Sequence, residues 1–315
     1  MMVSGRCIMM RASACNGSGH RPHLSRAIGD TSRLSNKAMG LEDRMGERPA
    51  RQEAVGSMRR ILVDAHVHLY PSFDRPTFLT AALRHARAAG AELPWLLFTE
   101  TARDFAFREL ASTPPDGWRV HRHGDGVTLT LADRTGQEVV VTAGRQVQTA
   151  EGLELLTLGL DDPIADGTQF RSALARAVEA GALPVVPWGF GKWSGRRGRL
   201  LADVLASPEA SQLFLGDNGG RPWFWPAPRP FGQIEAAGRR VLPGSDPLPF
   251  PSHQVRPGSY GLRLDGPVDG DRPFAQLRQV LANQDAPASP TGRLTRSLPF
   301  LRDQIAMQIV KRTRR

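Results

Sequence analysis

Cysteine, lysine and long apolar runs are scarce in this chain. The two cysteines, Cys7 and Cys15, both precede residue 58, so the remainder can form neither a disulfide framework nor a cysteine-ligated zinc site. This usage of cysteine predicts a reducing, cytoplasmic compartment. No apolar run reaches the roughly 18 residues of a membrane span, and the first residues lack the apolar core of a secretory signal.

The formal net charge of +10 is concentrated at the two ends of the chain. Residues 58–290 contain 25 basic and 25 acidic residues, whereas residues 291–315 contain seven basic residues and one acidic residue. A domain that binds DNA specifically carries its basic excess on the folded body. We therefore expect no specific nucleic-acid partner, and only weak contact of the basic ends with anionic surfaces.

The composition divides the chain into three parts. Residues 1–57 mix Ser, Gly, Arg, Met and Asn without periodicity, which predicts a disordered leader. Residues 58–285 form the predicted main domain, and residues 286–315 a linker with a basic C-terminal helix. We expect the apolar stripe of that helix to pack on the body or on a second copy; the stripe contains Leu298, Leu301, Ile305 and Ile309.

Buried strands alternate with helices along the main domain, which indicates an α/β fold. Six or seven such strands predict a distorted (β/α) TIM-like barrel of about seven strands, with an open doubly wound sheet as the alternative. Residues 118–143 alternate apolar and polar side chains about an Asp-Arg-Thr-Gly turn. This pattern predicts an antiparallel hairpin inserted into the barrel.

The first apolar strand ends in Asp64-x-His66-x-His68. Side chains alternate along a strand, so these three can point the same way. In (β/α) barrels the active site lies at the carboxyl ends of the strands. Two imidazoles and a carboxylate there suit a divalent cation such as Zn, Mn or Fe. The alternative is a half-buried strand whose histidines only donate and accept hydrogen bonds.

Later strands also end in polar residues. Glu100, Glu154 and Asp217 are further candidate metal ligands, and Asp246 is a candidate ligand or general base. Each has a structural alternative: Glu100 as a helix cap, Glu154 as a solvated strand residue, and the two aspartates as turn residues. Asn218 and Arg221 follow Asp217 and are candidate substrate contacts.

The loop at residues 189–198, Gly-Phe-Gly-Lys-Trp-Ser-Gly-Arg-Arg-Gly, follows a buried strand and precedes a helix. It matches neither a dinucleotide-binding loop nor a Walker loop. Lys192, Arg196 and Arg197 make it a candidate site for phosphate, carboxylate or sulfate, with a solvated surface loop as the alternative. Only three of the 41 basic residues are lysines, which draws attention to Lys192, the lysine of the main domain, as a candidate catalytic group.

Three segments resemble the PHP (polymerase and histidinol phosphatase) and amidohydrolase-type metal hydrolases. Residues 62–70 are similar to the opening motif, residues 244–247 to the closing strand with its acidic ligand, and residues 149–159 to the middle motif, where a glutamate often bridges metals. The resemblance implies a distorted barrel, one to three divalent metals and hydrolysis, often of phosphate esters. The chain departs from the family pattern at Pro187-Trp188, where such proteins typically have His-Pro, and at Leu248, where they have a histidine.

Two functions follow from these patterns. The first is a metal-dependent hydrolase, of phosphoesterase or amidohydrolase type, that acts on a small anionic substrate through a metal-activated water. The second is a catalytically inactive barrel that binds an anionic ligand or a protein partner. The chain has no Gly-x-Ser-x-Gly motif and no cysteine nucleophile in its main domain, which disfavours covalent catalysis by either residue type.

Overall fold

A computed structural model describes residues 58–268 and 270–313 of the chain. The predicted leader, with Cys7 and Cys15, lies outside the described residues. The described part has a mixed α/β fold with two sheets and seven α-helices. No helix within it is both long and apolar enough to cross a membrane.

The elements follow one another in the order of the chain. The strands are β1 (Met58–Val67), β2 (Leu93–Phe98), β3 (Trp118–Arg122), β4 (Thr128–Asp133), β5 (Glu138–Thr142), β6 (Gly144–Gln148), β7 (Glu154–Leu158), β8 (Leu183–Pro187), β9 (Phe214–Asn218), β10 (Val241–Gly244), β11 (Tyr260–Pro267) and β12 (Ala288–Gly292). The helices are α1 (Arg75–Ala88), α2 (Ala106–Ser112), α3 (Phe170–Glu179), α4 (Gly195–Leu205), α5 (Arg229–Ala236), α6 (Pro273–Ala282) and α7 (Ser297–Thr313).

The predicted distorted (β/α) TIM-like barrel is not confirmed, because the described strands form two sheets and no closed barrel. One has the order β12-β11-β1-β2-β5-β4-β3 and the other β10-β9-β8-β7-β6. Strands β11 and β5 occupy the hydrogen-bonding edges of β1 and β2, so the second sheet cannot continue the ladder. It reaches the first sheet through a backbone hydrogen bond from Asp246 to His66, and through a bridge between Glu100 and Arg145.

The predicted hairpin is present and belongs to a three-stranded meander. Strands β3, β4 and β5 pair antiparallel in sequence order, and β5 then pairs parallel with β2. The meander is therefore part of the larger sheet and not a decoration on it. The turn between β4 and β5 includes Gly136, whose φ of 84° favours glycine.

The core has a layer between the sheets and a layer on each outer face. The inner layer contains alternate residues of both sheets, such as Ile61, Val63 and Leu156, and is covered by α6. Helices α1 and α2 pack on the larger sheet, and α3, α4 and α5 on the smaller one. This arrangement buries β1 and β2 on both faces, as expected of strands that read as continuous apolar runs.

Three elements differ from the sequence predictions. Helix α5 and strand β11 were not predicted from the sequence, and strand β12 lies in the segment at residues 286–315 that was predicted as a linker with a C-terminal helix. In β11, buried Leu262 and Leu264 alternate with exposed Arg263 and Asp265, a period-two pattern that predicts a strand. Helix α7 confirms the predicted C-terminal helix, but its stripe is exposed: Leu298 81%, Leu301 57%, Ile305 55% and Ile309 58%.

Candidate metal centre

His66, His68 and Asp246 converge where β1 meets the loop after β10. The two imidazole Nε2 atoms lie 3.2 Å apart. Asp246 Oδ1 lies 3.5 Å from Nε2 of His66 and 3.6 Å from Nε2 of His68. Both histidines are buried and Asp246 is half-buried. Within the described residues this is the one group of three such side chains whose ligand atoms gather closely enough for a metal ion.

The spacing of these three atoms fits a divalent cation. Ligands about 2.1 Å from a common ion with tetrahedral geometry lie about 3.4 Å from one another, close to the three distances observed. Two imidazole nitrogens and a carboxylate oxygen are also a ligand set that zinc, manganese and iron accept. The residues present therefore fit the predicted metal centre, with three protein ligands.

Asp64 does not join this group, because the alternation of side chains between the two sides of the sheet is interrupted after it. The pairing of β1 with β2 shifts register between Asp64 and Val67. Ala65 belongs to the inner core layer and Val67 to an outer one, so the side of the sheet that each side chain faces changes between them. The simple alternation predicted for Asp64, His66 and His68 is broken by this irregularity.

Asp64 instead fixes the loop that carries Asp246. Its oxygens accept hydrogen bonds from the Ser245 backbone (2.8 Å), the Ser245 hydroxyl (2.5 Å) and the Gly258 backbone (2.7 Å). Complete burial raises the pKa of Asp64 to about 7, and these hydrogen bonds oppose the rise. The side chain thus ties β1 to the two segments that follow β10.

Asp246 has the one positive φ, 44°, among the described non-glycine residues. Its backbone N–H donates to His66 O (2.8 Å), and the Asn218 amide donates to its Oδ2. A left-handed conformation costs a non-glycine residue about 1–2 kcal/mol, so these contacts hold the aspartate in a strained position. Strain of this kind is frequent at functional sites.

The surroundings favour the protonation states that a cation requires. Burial, followed by the neighbouring His66, lowers the pKa of His68 to about 4, which leaves that imidazole neutral. Burial would raise the pKa of Asp246, but His66, His68, Asn218 and Lys192 outweigh it and hold the pKa of this carboxyl below its usual value. Asp246 is therefore ionised near neutral pH.

A cavity of about 200 Å³ opens beside Asp246. Two cationic side chains line it, Lys192 from the loop after β8 and Arg256 from the loop before β11. Lys192 also forms an ion pair with Glu154, which accepts a further hydrogen bond from Gln148 (2.6 Å). Glu154, predicted as a metal ligand, thus lies against the lysine, while the cavity is lined by two cations, Lys192 and Arg256, and two carboxylates, Asp246 and Asp303.

Helix α7 covers the cavity with its inner face. Phe300, Asp303, Gln304 and Met307 line the side opposite Trp188. His253 holds the helix in place, because its Nδ1 accepts the Leu248 N–H (3.0 Å) and its Nε2 faces Asp303 Oδ2 (3.2 Å). With Nδ1 as an acceptor, the proton of the neutral ring lies on Nε2 and is donated to Asp303.

The other predicted site residues lie elsewhere. Glu100 forms a buried pair with Arg145 at 3.1 Å, and its Oε1 accepts the Phe107 N–H. Asp217 is bound through both oxygens to Arg221 (2.8 and 2.7 Å). The structure therefore does not bring Glu100 or Asp217 to the three ligands, and it commits Arg221 to a carboxylate of the protein itself.

The two arginines predicted with Lys192 also lie apart from the cavity. Arg197 donates to the carbonyl groups of Gly191 (2.9 Å) and Gly152 (3.4 Å) and so braces the loop. Arg196 is exposed and lines a separate surface depression with Glu151. Among the predicted substrate contacts, Lys192 and Asn218 line the cavity.

Sequence reasoning assigned no role to Arg256 or His253. Both lie in a stretch without hydrophobic periodicity, between β10 and β11, and no motif marks them. One signal was available, since His253 is the one histidine after position 123 and follows the Gly-Ser-Asp-Pro segment closely.

No protein-family model and no curated protein matches this chain, but solved structures are similar to it. PsfC from Pseudomonas syringae is 14% identical, with a TM-score of 0.48, over 82% of this chain and 100% of PsfC. The lesion-specific endonuclease EndoQ from Pyrococcus furiosus is 13% identical, with a TM-score of 0.43, over 72% of this chain and 56% of the endonuclease.

A third similar structure is a two-domain protein from Bacteroides vulgatus that contains a predicted PHP-like metal-dependent phosphoesterase. It is 13% identical, with a TM-score of 0.41, over 76% of this chain and 66% of the other. Its description names the PHP group, which the sequence motifs also resemble.

Proposed function

We propose that this protein is a metal-dependent hydrolase, of phosphoesterase or amidohydrolase type, that acts on a small anionic substrate. The observation that carries the proposal is the close approach of His66, His68 and Asp246, at 3.2–3.6 Å, beside a cavity that two cations line. The first three would hold the cation, and Lys192 and Arg256 would hold the anionic group of the substrate. Both cations form charge-assisted hydrogen bonds with anions.

A bound divalent cation would supply Lewis acidity and lower the pKa of a coordinated water. The residues of the chain supply the rest. Asn218 fixes the orientation of Asp246, and Lys192 is placed to neutralise negative charge that develops on the substrate. Phe300 and Met307 of α7 add apolar surface to the cavity, and an apolar lining strengthens electrostatic interactions within it.

A second candidate is a catalytically inactive protein that binds an anionic ligand or a protein partner at the same site. One observation favours it: Asp64, Glu154 and Asp217 are engaged by other protein groups, which leaves one set of three ligands among the described residues, whereas the families that the sequence resembles hold up to three metals. Such a protein would bind inorganic phosphate in the cavity without hydrolysing phosphate esters.

Metal analysis and hydrolysis assays separate these functions. We expect purified protein to contain close to one equivalent of Zn, Mn or Fe, and to hydrolyse at least one member of a panel of phosphate monoesters, phosphodiesters and amides. The double variant His66→Ala/His68→Ala should lose both. If the protein holds no metal after gentle purification and reconstitution, the hydrolase proposal is wrong; if it holds metal and binds phosphate without turnover, the inactive alternative applies.

The chain provides a matched control for this experiment. His121 and His123 also lie two residues apart at the end of a strand, with ring centroids 4.8 Å apart, but on the meander and without a carboxylate ligand beside them. The variant His121→Ala/His123→Ala should retain the metal and the activity. Equal loss in both double variants would mean that the metal is bound nonspecifically by histidine pairs.

A further inference from the structure

Exposed apolar side chains are concentrated on one face of the protein. Eleven large hydrophobic side chains are exposed among the described residues, and eight of them belong to three segments. A face of this kind marks an interaction surface, whereas scattered apolar residues do not. The eight are Phe190, Trp223, Phe224, Trp225, Leu298, Leu301, Ile305 and Ile309.

The three segments are joined into one surface. The Trp223 N–H donates to Thr295 O (3.0 Å), just before α7. The Phe190 ring contacts Trp225 (5.6 Å) and Phe300 (5.7 Å). Trp223 also lines a shallow groove together with the first turn of α7, including Leu298.

Helix α7 is turned so that its apolar stripe points away from the body. Asp303 is buried, and Phe300 and Met307 line the cavity, whereas Leu298, Leu301 and Ile305 are each more than half exposed. The helix was expected to bury this stripe against the body or a second copy. It instead lines the cavity beside Asp246 with one face and leaves an aliphatic face exposed.

The exposed charged residues of the two longer of these segments, taken with their flanking residues, are all basic. Four arginines are exposed in residues 219–230 and 291–309, namely Arg229, Arg293, Arg296 and Arg302. The one acidic residue of these two stretches, Asp303, is buried and accepts from Arg302 (2.9 Å). Positive charge beside exposed tryptophan, phenylalanine and leucine is typical of segments that lie in a membrane interface.

We propose that this face, defined as Phe190, residues 223–225 and the outer side of α7, binds an anionic lipid surface. Two other partners fit less well. A symmetric contact with a second copy would bring the exposed arginines beside this face near those of the other copy. Single-stranded nucleic acid would use the arginines and stack on the aromatic rings, but it has no use for the aliphatic residues Leu298, Leu301 and Ile305.

Vesicle binding tests the proposal with the full chain. We expect the protein to sediment with vesicles of phosphatidylserine and phosphatidylcholine in equal parts, and to bind vesicles of pure phosphatidylcholine at least about tenfold more weakly. Brominated lipids should quench the fluorescence of the exposed Trp223 and Trp225. Failure to bind the anionic vesicles, or binding without quenching, would overturn it.

Two sets of variants distinguish the partners. Leu298→Ser/Leu301→Ser/Ile305→Ser should weaken binding to the anionic vesicles by about a hundredfold, and Arg293→Gln/Arg296→Gln/Arg302→Gln by about fivefold for each charge removed. Met58→Ser, which removes an exposed apolar side chain outside this face, should leave binding to the anionic vesicles unchanged. Circular dichroism establishes that each variant is folded.

Each alternative partner has its own signature. A dimer in sedimentation velocity without lipid that the serine variant converts to monomer would assign the face to a second copy. Binding of an oligothymidine that the glutamine variant loses and the serine variant retains, together with no vesicle binding, would assign it to nucleic acid. Either result would overturn the lipid proposal, and neither depends on whether the protein is a hydrolase.

Discussion

Two clusters of buried charged residues lie near the carboxyl ends of the neighbouring strands β9 and β10, and they use their polar atoms differently. Asp217 accepts hydrogen bonds on both oxygens, from Arg221 (2.8 and 2.7 Å), the Asn218 backbone (2.9 Å) and the Tyr260 hydroxyl (2.7 Å). Arg221 donates in addition to Trp225 O (2.8 Å). Protein groups alone therefore satisfy the hydrogen-bonding capacity of the Asp217 carboxylate in this cluster.

In the cluster of His66, His68 and Asp246, by contrast, the hydrogen bonds among the three side chains do not satisfy all of the ligand atoms. Its three ligand atoms point at one another from 3.2–3.6 Å, and two of them are imidazole nitrogens, of which at most one can donate to the other. The aspartate is also held at a positive φ. The difference indicates that buried charge alone does not mark a candidate metal site, whereas the convergence of ligand atoms from three side chains does.

Matched substitutions of the two aspartates test this comparison, and Asp246→Asn should have the larger effect. The amide removes one of the three ligands, so we expect the metal to be lost and turnover to fall by about a thousandfold, because the cation supplies several kcal/mol of transition-state stabilisation. Metal analysis and initial rates measure both. The free energy of unfolding of the metal-free protein should change by less than about 1 kcal/mol.

Asp217→Asn should give the opposite pattern. Removal of one partner of a buried ion pair leaves Arg221 uncompensated, at a cost of about 3–5 kcal/mol in the free energy of unfolding. Urea denaturation measures this loss, and metal content should be unchanged. If Asp217→Asn instead removes the metal without destabilising the fold, the assignment of the two clusters is reversed.

Lys192→Met tests the cavity beside the ligands. Loss of one charge-assisted hydrogen bond, worth about 1.5–3 kcal/mol, should raise KM for an anionic substrate by about 10- to 100-fold. Steady-state kinetics on the best phosphate ester measures it, and the metal should remain. Arg196→Met, which removes an exposed cation at the start of α4, is the control and should leave KM unchanged.

The sequence predicts the position of a ligand in this site where that position depends on local strand pattern, and not where it depends on pairing with a distant strand. His66 and His68 are predictable because an apolar run of strand type ends in them, and Asp246 because it closes a later strand. Asp64 has the same pattern but a different role, since the irregularity after it depends on pairing with β2, which no local pattern encodes. Local periodicity therefore places residues on elements but not across a register shift.

The same limit applies to the architecture and to α7. Alternating strands and helices indicate the α/β class, but the two sheets result from β5 and β11 pairing with the edges of β2 and β1, contacts between segments far apart in sequence. The stripe of α7 is visible in the sequence, whereas its outward direction depends on the buried pair of Asp303 with His253. A stripe shows that a helix is amphipathic, not which side faces the body.

Glu100 is intermediate between the two clusters, because one of its carboxylate oxygens has a hydrogen-bond donor and, within the described part of the chain, the other has none. Its substitution gives the smallest predicted effect. Its Oε1 accepts the Phe107 N–H, but its Oε2, 3.1 Å from Arg145, has no hydrogen-bond partner among the described residues. Burial raises the pKa of Glu100 from 4.5 to about 7, against the opposing hydrogen bond and the charge of Arg145. The folded protein therefore retains a proton that the unfolded chain releases.

Since the pKa of Glu100 is higher in the folded state, its contribution to stability is present below about pH 4.5 and is lost as the pH rises to about 7. The free energy of unfolding should thus fall, relative to Glu100→Gln, by at most about 1.4 kcal/mol per pH unit in this window and then level off. Urea denaturation across the window measures the difference, with exposed Glu92→Gln as the control. Parallel curves would mean that Glu100 is ionised in the fold, and that Glu100 and Arg145 form a self-sufficient pair as Asp217 and Arg221 do.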